Sequence, residues 1–452
     1  MNIYRIILFL FSLNVCSAFS QQDSVVVRVS IVDDRYGDPI KNATGVIISS
    51  DTLFGTSNSK GKFTKKIAVP NNLNVSISHS QFLSDEQTKK LTKKYSGDTV
   101  VINFKLEFIK SQNVDSIVVF APGSPQVVFS SPKLHVEDYV LFKNGEILLL
   151  TYQKRLKKGS ELKIFNGNKI TSSFQVPDRA LELVHDYRGN AHVVCENNVY
   201  GIHQREDKVR LSRLDKSYFM TYLAPIVDTN ASKMYFSNFN KDYPAFEYFT
   251  FDRIDSTYKK IMKIEDELMM ELYRSEYKWV DVRTQLWAKN KEIKTGIDAE
   301  IWVGANYFTQ SIYYKEAYAP LFHRDDTIYI FDYYKDLLFT FNKNGDGIDS
   351  LGIYHHYNPR STGWKKNVIQ DSKTGEVYAV FERAGYTYIG RIDLKTGEIP
   401  EQVRLKHRFI HKVSVNGNHV YYVYRPFESI QKKYLYRERL PYKFETMKDR
   451  DQ

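Results

Sequence analysis

The residues in this chain able to do chemistry are scattered, and few share a spacing that a reaction needs. Its eleven histidines are dispersed. Only His355 and His356 are adjacent, and chain neighbours rarely both reach one metal, so the pair reads as a loop or rim element. Asn342-Lys343-Asn344-Gly345-Asp346-Gly347 has oxygen-bearing side chains at positions 1, 3 and 5 of a calcium loop, with glycine at 6. Position 12, where a bidentate Glu belongs, is Ile353, and position 8 is Asp349 instead of an aliphatic residue, so the segment reads as a hairpin rich in turn formers. The acidic pairs Glu265-Asp266 and Asp325-Asp326 imitate a hydrolase dyad, but one opens a helix and the other a turn, where a carboxylate has a local structural use. The zinc motif His-Glu-x-x-His, glycine-rich phosphate loops and the Gly-x-Ser-x-Gly elbow do not occur. On these residues no catalytic, cofactor-binding or metal-binding position is assigned.

The elements that must position any site begin with an address. Met1 to Ser20 carries a charged start with Arg5, an apolar run from Ile6 to Leu13, and Ala18-Phe19-Ser20 before Gln21. That pattern is a secretory signal peptide. Lipoprotein processing at Cys16 is the weaker alternative, because Val15 stands where a small residue is needed. No other segment reaches the length of a membrane span. Only two cysteines occur, so removal of the leader leaves Cys195 alone, in the buried-strand pattern Ala191-His192-Val193-Val194-Cys195. The net charge of +11 is spread over the chain, and export argues against nucleic acid as the partner. With 452 residues, 14% of them aromatic, the composition leans to β-structure in two or more domains.

Residues 21–110 alternate apolar and polar in short runs punctuated by turns, which predicts a small β-sandwich. Val29-Ser30-Ile31-Val32-Asp33, followed by Gly37-Asp38-Pro39-Ile40-Lys41-Asn42-Ala43, resembles the opening of carboxypeptidase-regulatory-like domains. Thr56-Ser57 through Gly61-Lys62-Phe63 resembles their second signature, with Asn58 in place of the usual Asp. The resemblance implies a non-catalytic sandwich of the kind appended to exported or outer-membrane proteins of Bacteroidetes-type bacteria.

The rest of the chain, 111–452, repeats. Six turns rich in Asn, Asp or Gly each precede a strand-like run: Asn144, Gly189, Asn230, Asp325, Thr374 and Asn416 mark them, with steps of 45, 41, 95, 49 and 42. Later hairpins, such as the one around Asn166-Gly167-Asn168, complete blades of four strands, and six such units predict a six-bladed β-propeller. The last unit lacks a strand, which Ser116 to Phe120 is expected to supply. The doubled step comes from an insertion, 265–312, in which Leu268, Leu272, Trp279, Val282, Leu286 and Ile293 form a helical stripe. Three of the four tryptophans, Trp279, Trp287 and Trp302, lie there. The stripe reads either as packing against the rim or, with Tyr273 and Tyr277, as the anchor of a protein contact.

The expectation is therefore an all-β exported protein with one helical insertion, held in the periplasm or at the outer membrane. Its expected work is non-enzymatic: a scaffold in a cell-envelope assembly, with envelope proteins as partners and glycan as a further ligand. The alternative is a propeller lyase or hydrolase acting on polysaccharide or peptide, which needs two carboxylates, or a histidine and a carboxylate, converging at the ring centre.

Overall fold

A computed structural model of the chain describes residues 24–49, 51–91, 97–109, 124–142, 144–205, 208–230, 232–310, 314–426 and 432–441. The signal segment and Ser116–Phe120 lie outside the described residues.

Two sheets form the N-terminal unit. Ser24–Asp33 lies between Lys62–Ala68, antiparallel, and Thr99–Leu106, parallel. The second sheet runs in the order Thr52–Thr56, Thr44–Ile48, Asn72–His79, Phe82–Lys90. Val25, Val27, Val29 and Ile31 are fully buried between the sheets with Ile47, Leu73, Val75, Ile77 and Phe104. The alternation in sequence is thus the inside and outside of a pleated strand. The hairpin at Asn58 closes as the turn chemistry predicts: its Oδ1 accepts from Lys60 N at 2.9 Å and Lys62 N at 3.1 Å. Gly61 has φ +66, and a Cβ there would stand 2.4 Å from the Ile31 carbonyl oxygen, so the turn needs glycine.

Six four-stranded antiparallel sheets follow, each running from an inner to an outer strand. The inner strands are His135–Leu141, Ala180–His185, Ile226–Asn230, Leu321–Arg324, Trp364–Gln370 and His411–Asn416. All six predicted turns are the hairpins from these strands to the second strands of their blades. The second strands of blades 1, 2 and 5 are buried on both faces, which is why Ile147–Tyr152, Ala191–Cys195 and Val377–Arg383 read as nearly unbroken apolar runs. The apolar side chains form cores between neighbouring blades: Leu148 and Leu162 with Val193 and Tyr200 (blades 1 and 2), Tyr248 with Ile330 (3 and 4), Tyr378 with Tyr422 (5 and 6). Val423 and Leu435 of blade 6 pack on Val136 and Leu149 of blade 1, closing the ring. The sixth blade takes its outer strand from before the first, as expected, but the strand paired antiparallel to Tyr434–Arg439 is Gln126–Phe129, in place of the expected Ser116–Phe120. Closure packs the first and last blades on each other, so neither leaves an uncovered apolar face.

The insertion departs from the predicted single stripe. It is three helices, Glu267–Trp279, Val282–Thr295 and Ala299–Phe308. Asp266 caps the first by accepting from Met269 N at 3.0 Å, and Asp281 caps the second through Arg283 N and Thr284 N. Tyr273 is fully buried: its ring stacks on Phe308, and a Cβ on Gly304 would fall 2.2 Å from it. The stripe residues do not pack on the rim. Leu268, Trp279, Val282 and Ile293 are each at least 70% exposed.

Candidate functional site

Because every blade repeats one topology, the links from an outer strand to the next inner strand leave the ring on one face. The three-helix insertion is such a link, between Tyr258–Glu265 and Leu321–Arg324. This crossover face is where the inner strands begin.

Near those beginnings, three consecutive inner strands carry the same irregularity. The pairing register slips at Glu137 in blade 1, at Leu181 in blade 2 and at Val227 in blade 3. The residue after each slip is a carboxylate: Asp138, Glu182 and Asp228. A bulge adds one residue and re-aims the side chain beside it. Blades 5 and 6 also slip, between Trp364 and Val368 and between His411 and Ser414. There the bulges hold lysines with left-handed backbones, Lys366 at φ +50 and Lys412 at φ +51. Non-glycine residues adopt that conformation only where surrounding structure compels it, at a cost on the order of 1–3 kcal/mol each. The bulges are thus divided, with acids on blades 1 to 3 and ammonium groups on blades 5 and 6.

The two halves meet at Lys412. Its Nζ lies 3.0 Å from Asp138 Oδ2 and 3.2 Å from Glu182 Oε2. Those two oxygens are therefore no more than about 6.2 Å apart. Asp138 is buried and fully engaged, accepting also from Leu183 N at 3.0 Å and Tyr139 N at 2.9 Å. Burial raises its pKa, while the Leu183 N–H and the Lys412 ammonium work against the rise. Burial pulls Lys412 down, but Asp138 and Glu182 more than offset it and the net direction is up. The Tyr139 hydroxyl donates to the Lys412 carbonyl at 2.7 Å, so blade 1 also holds the lysine's backbone. Glu182 is the open member, with about half of its side chain exposed (52%). Asp138 consequently positions the lysine, and Glu182 faces whatever enters.

His185 follows on the same strand as Glu182; burial lowers its pKa, opposed by Asp186 and Asp138. Across the third inner strand, Asp228 Oδ2 lies 4.0 Å from His323 Nδ1, and Asn230 Nδ2 is 3.2 Å from His323 Nε2. Burial raises the Asp228 pKa. Lys366 is open to water in part, yet burial and the Lys315 ammonium lower its pKa. Its Nζ donates to the Glu316 carbonyl at 3.4 Å, and among the described residues no carboxylate pairs with it. Exposed aromatics stand on the links around this face: Tyr218 and Tyr222, Tyr354 and Tyr357, and Phe409.

The sequence-flagged groups have structural uses. His355 is wedged between Tyr333 and Trp364, with its pKa lowered by burial to about 4, and His356 Nε2 is 2.9 Å from Asp336. The segment 342–347 is the expected hairpin, and the Asn342 Oδ1 is used inside it by Asn344 N and Asp346 N. Asp266 is a helix cap, and Asp326 pairs with Lys343. Cys195 is buried, its thiol pushed up to about 12 by burial. Of the aromatic residues named for the insertion, Trp279 is exposed, Trp287 and Trp302 meet edge to face at 6.3 Å, and Tyr277, like Trp302, packs against the core of Ala288, Ala299 and Val303. Tyr273 is sealed inside, so the inclusion of that residue in a surface contact is corrected by its burial.

No family model and no curated protein matches the chain. Solved structures do resemble it. A luciferin-regenerating enzyme is 8% identical, covers 70% of this chain and 94% of its own, and superposes at a TM-score of 0.35. Regucalcin from Agrobacterium tumefaciens, described as a calcium-binding protein, is 10% identical, covering 72% and 98%, with a TM-score of 0.31. BamB from Moraxella catarrhalis is 8% identical, covering 65% and 81%, with a TM-score of 0.25. At this distance no activity passes from them to this chain. The expectation of a non-enzymatic scaffold is nonetheless corrected, since an enzyme stands among the structures this chain resembles.

Proposed function

We propose that the ring is a polysaccharide-cleaving enzyme working at the centre of its crossover face, with Glu182 and Asp228 as the reacting carboxylates. One observation carries this reading: bulges on three consecutive inner strands each place a carboxylate, while those of blades 5 and 6 place lysines. Glycoside hydrolysis divides work between a proton donor and a base or nucleophile, and different environments set the division. Asp228, whose pKa burial raises, is the carboxyl better suited to give a proton to the leaving oxygen. Glu182, open and beside an ammonium, takes the proton of the attacking water. Lys412, held by Asp138, stabilises charge beside Glu182, and Lys366 is free to hold an anionic group of the chain. The exposed Tyr218, Tyr222, Tyr354, Tyr357 and Phe409 favour a sugar polymer over a peptide, because flat apolar rings with a polar edge suit sugar faces.

The leader and the resemblance of residues 21–110 to carboxypeptidase-regulatory-like domains support the further proposal that the enzyme is exported and that its N-terminal unit is non-catalytic. The test is release of reducing ends from a panel of neutral and uronate-containing polysaccharides. Activity on one polymer that is lost in Glu182→Gln and Asp228→Asn supports the reading. Binding of a polymer without cleavage, or activity that survives both substitutions, overturns it.

A further inference from the structure

The first two insertion helices each present an apolar stripe to water. In the first, Leu268, Leu272 and Trp279 are 72%, 42% and 84% exposed. In the second, Val282, Leu286 and Ile293 are 70%, 60% and 82% exposed. Both sets have steps of four and seven residues, so each lies along one helix face. The opposite faces are already used: Met270 and Tyr273 in the first helix and Ala288 in the second are buried, with Ala299, Val303 and Phe308 of the third among the residues they pack on. These are helices with two apolar faces, only one of which is covered among the described residues. Six large apolar side chains in so short a segment exceed the scatter of single exposed residues on an ordinary surface.

The flanks of the two stripes differ in charge. Beside the first stand Glu267, Glu271 and Glu276 with Lys278; beside the second stand Arg283, Lys289 and Lys294 with Glu292, so the net charge is acidic on the first and basic on the second. Lys289 and Glu292 pair within the second helix, and among the described residues the others make no ion pair. An acidic-edged stripe and a basic-edged stripe on one molecule complement each other between molecules. A two-fold axis that sets the first helix of one copy on the second helix of another forms both contacts at once, the closed and self-limiting arrangement. We propose that this face is a homodimer interface, with Trp279 and Leu286 as its apolar anchors. The proposal stands apart from the catalytic reading, since it uses no residue of the ring centre.

Sedimentation of the full chain tests it. The wild type is expected at twice the chain mass. Glu271→Lys/Glu276→Lys and Arg283→Glu/Lys289→Glu are each expected at half the wild-type mass, because every contact then opposes like charges. Mixed in equal amounts, the two variants are expected to recover the dimer, since each acidic edge again faces a basic one. Circular dichroism matching the wild type establishes that the variants fold. A wild type that is monomeric, dimers that persist in both variants, or a mixture that stays monomeric overturns the proposal. So does a monomer that sediments with anionic phospholipid vesicles, which assigns the stripes to a lipid surface instead.

Discussion

Two lysine–carboxylate groups in this molecule use the same chemistry to different ends. In one, Lys163 Nζ lies 2.5 Å from Glu161 Oε2, and both side chains are wholly inaccessible to water. Ser173 Oγ sits 2.9 Å from the lysine and donates to Glu161 at 3.1 Å. Ser84 of the N-terminal unit donates to the other Glu161 oxygen, and Gln153 Nε2 donates to the Ser84 carbonyl at 2.9 Å. Phe54 and Phe174 meet alongside at 5.4 Å, and Val46 joins the blade 1 and 2 core. Glu161, Lys163, Ser173 and Ser84 each have a protein partner, so the cluster fastens the N-terminal unit to blade 1. In the other group, at Lys412, one carboxylate is sealed and the other stands half in water. A sealed pair can only hold; a half-open pair can hold and also react. Burial of the second carboxylate, rather than the identity of the residues, separates an anchor from a site.

The largest effect expected is at the anchor. Lys163→Met leaves Glu161 buried without its cation and should cost about 3–5 kcal/mol in chemical unfolding. Adding Glu161→Gln should restore most of it; a single variant as stable as wild type would mean that water reaches the cluster. At the ring centre, Glu182→Gln should lower cleavage by about 100-fold or more while the unfolding midpoint stays near that of wild type. Loss of stability in place of activity would make Glu182 a second anchor. Lys412→Met should cost about 1–2 kcal/mol near pH 7, less than the anchor because solvent screens the open side. Its sign with pH is defined. Asp138 already has a raised pKa, and without the ammonium its ionised form is costlier still. The deficit should therefore be absent below the ordinary carboxylate range, near pH 4, and grow as pH rises above it. A deficit equal at all pH values would remove Asp138 from the explanation. Asp228 sharpens the same contrast: as a proton donor with a raised pKa, it should impose a loss of cleavage as pH rises. A pH profile without that descending limb would reassign the donor. The smallest effect belongs to the surface pair Lys289–Glu292, where Lys289→Met should leave the unfolding midpoint unmoved.

How much of this was legible depended on how far each feature reaches along the chain. The six hairpins were readable because the turn residues Asn, Asp and Gly act on their own backbones, and the second strands of blades 1, 2 and 5 were readable because burial on both faces leaves an unbroken apolar run. The Asn58 hairpin and the Gly61 turn were local in the same sense. The bulge carboxylates were not. Asp138, Glu182 and Asp228 stand six, seven and two residues ahead of their turn markers Asn144, Gly189 and Asn230, because a hairpin's length varies freely while its bulge stays fixed to the sheet. No constant spacing exists to be read. The insertion failed differently: helical spacing groups Leu268, Leu272 and Trp279 on one face, but it does not say whether that face turns inward. Tyr273 and Gly304 decide it, by filling the inward side through contact across about thirty residues.

The sequence by itself determined the count of blades, the phase of their turns, the place of the helical insertion and that a strand from ahead of the first blade closes the ring, though not which strand. Each of these follows from backbone preference and from the period of burial, which act over a few residues. Only the tertiary structure decided which acids gather. Register slips in separate blades bring Asp138, Glu182 and Lys412 together across some 270 residues of chain, and the water left beside Glu182 alone makes that meeting a site.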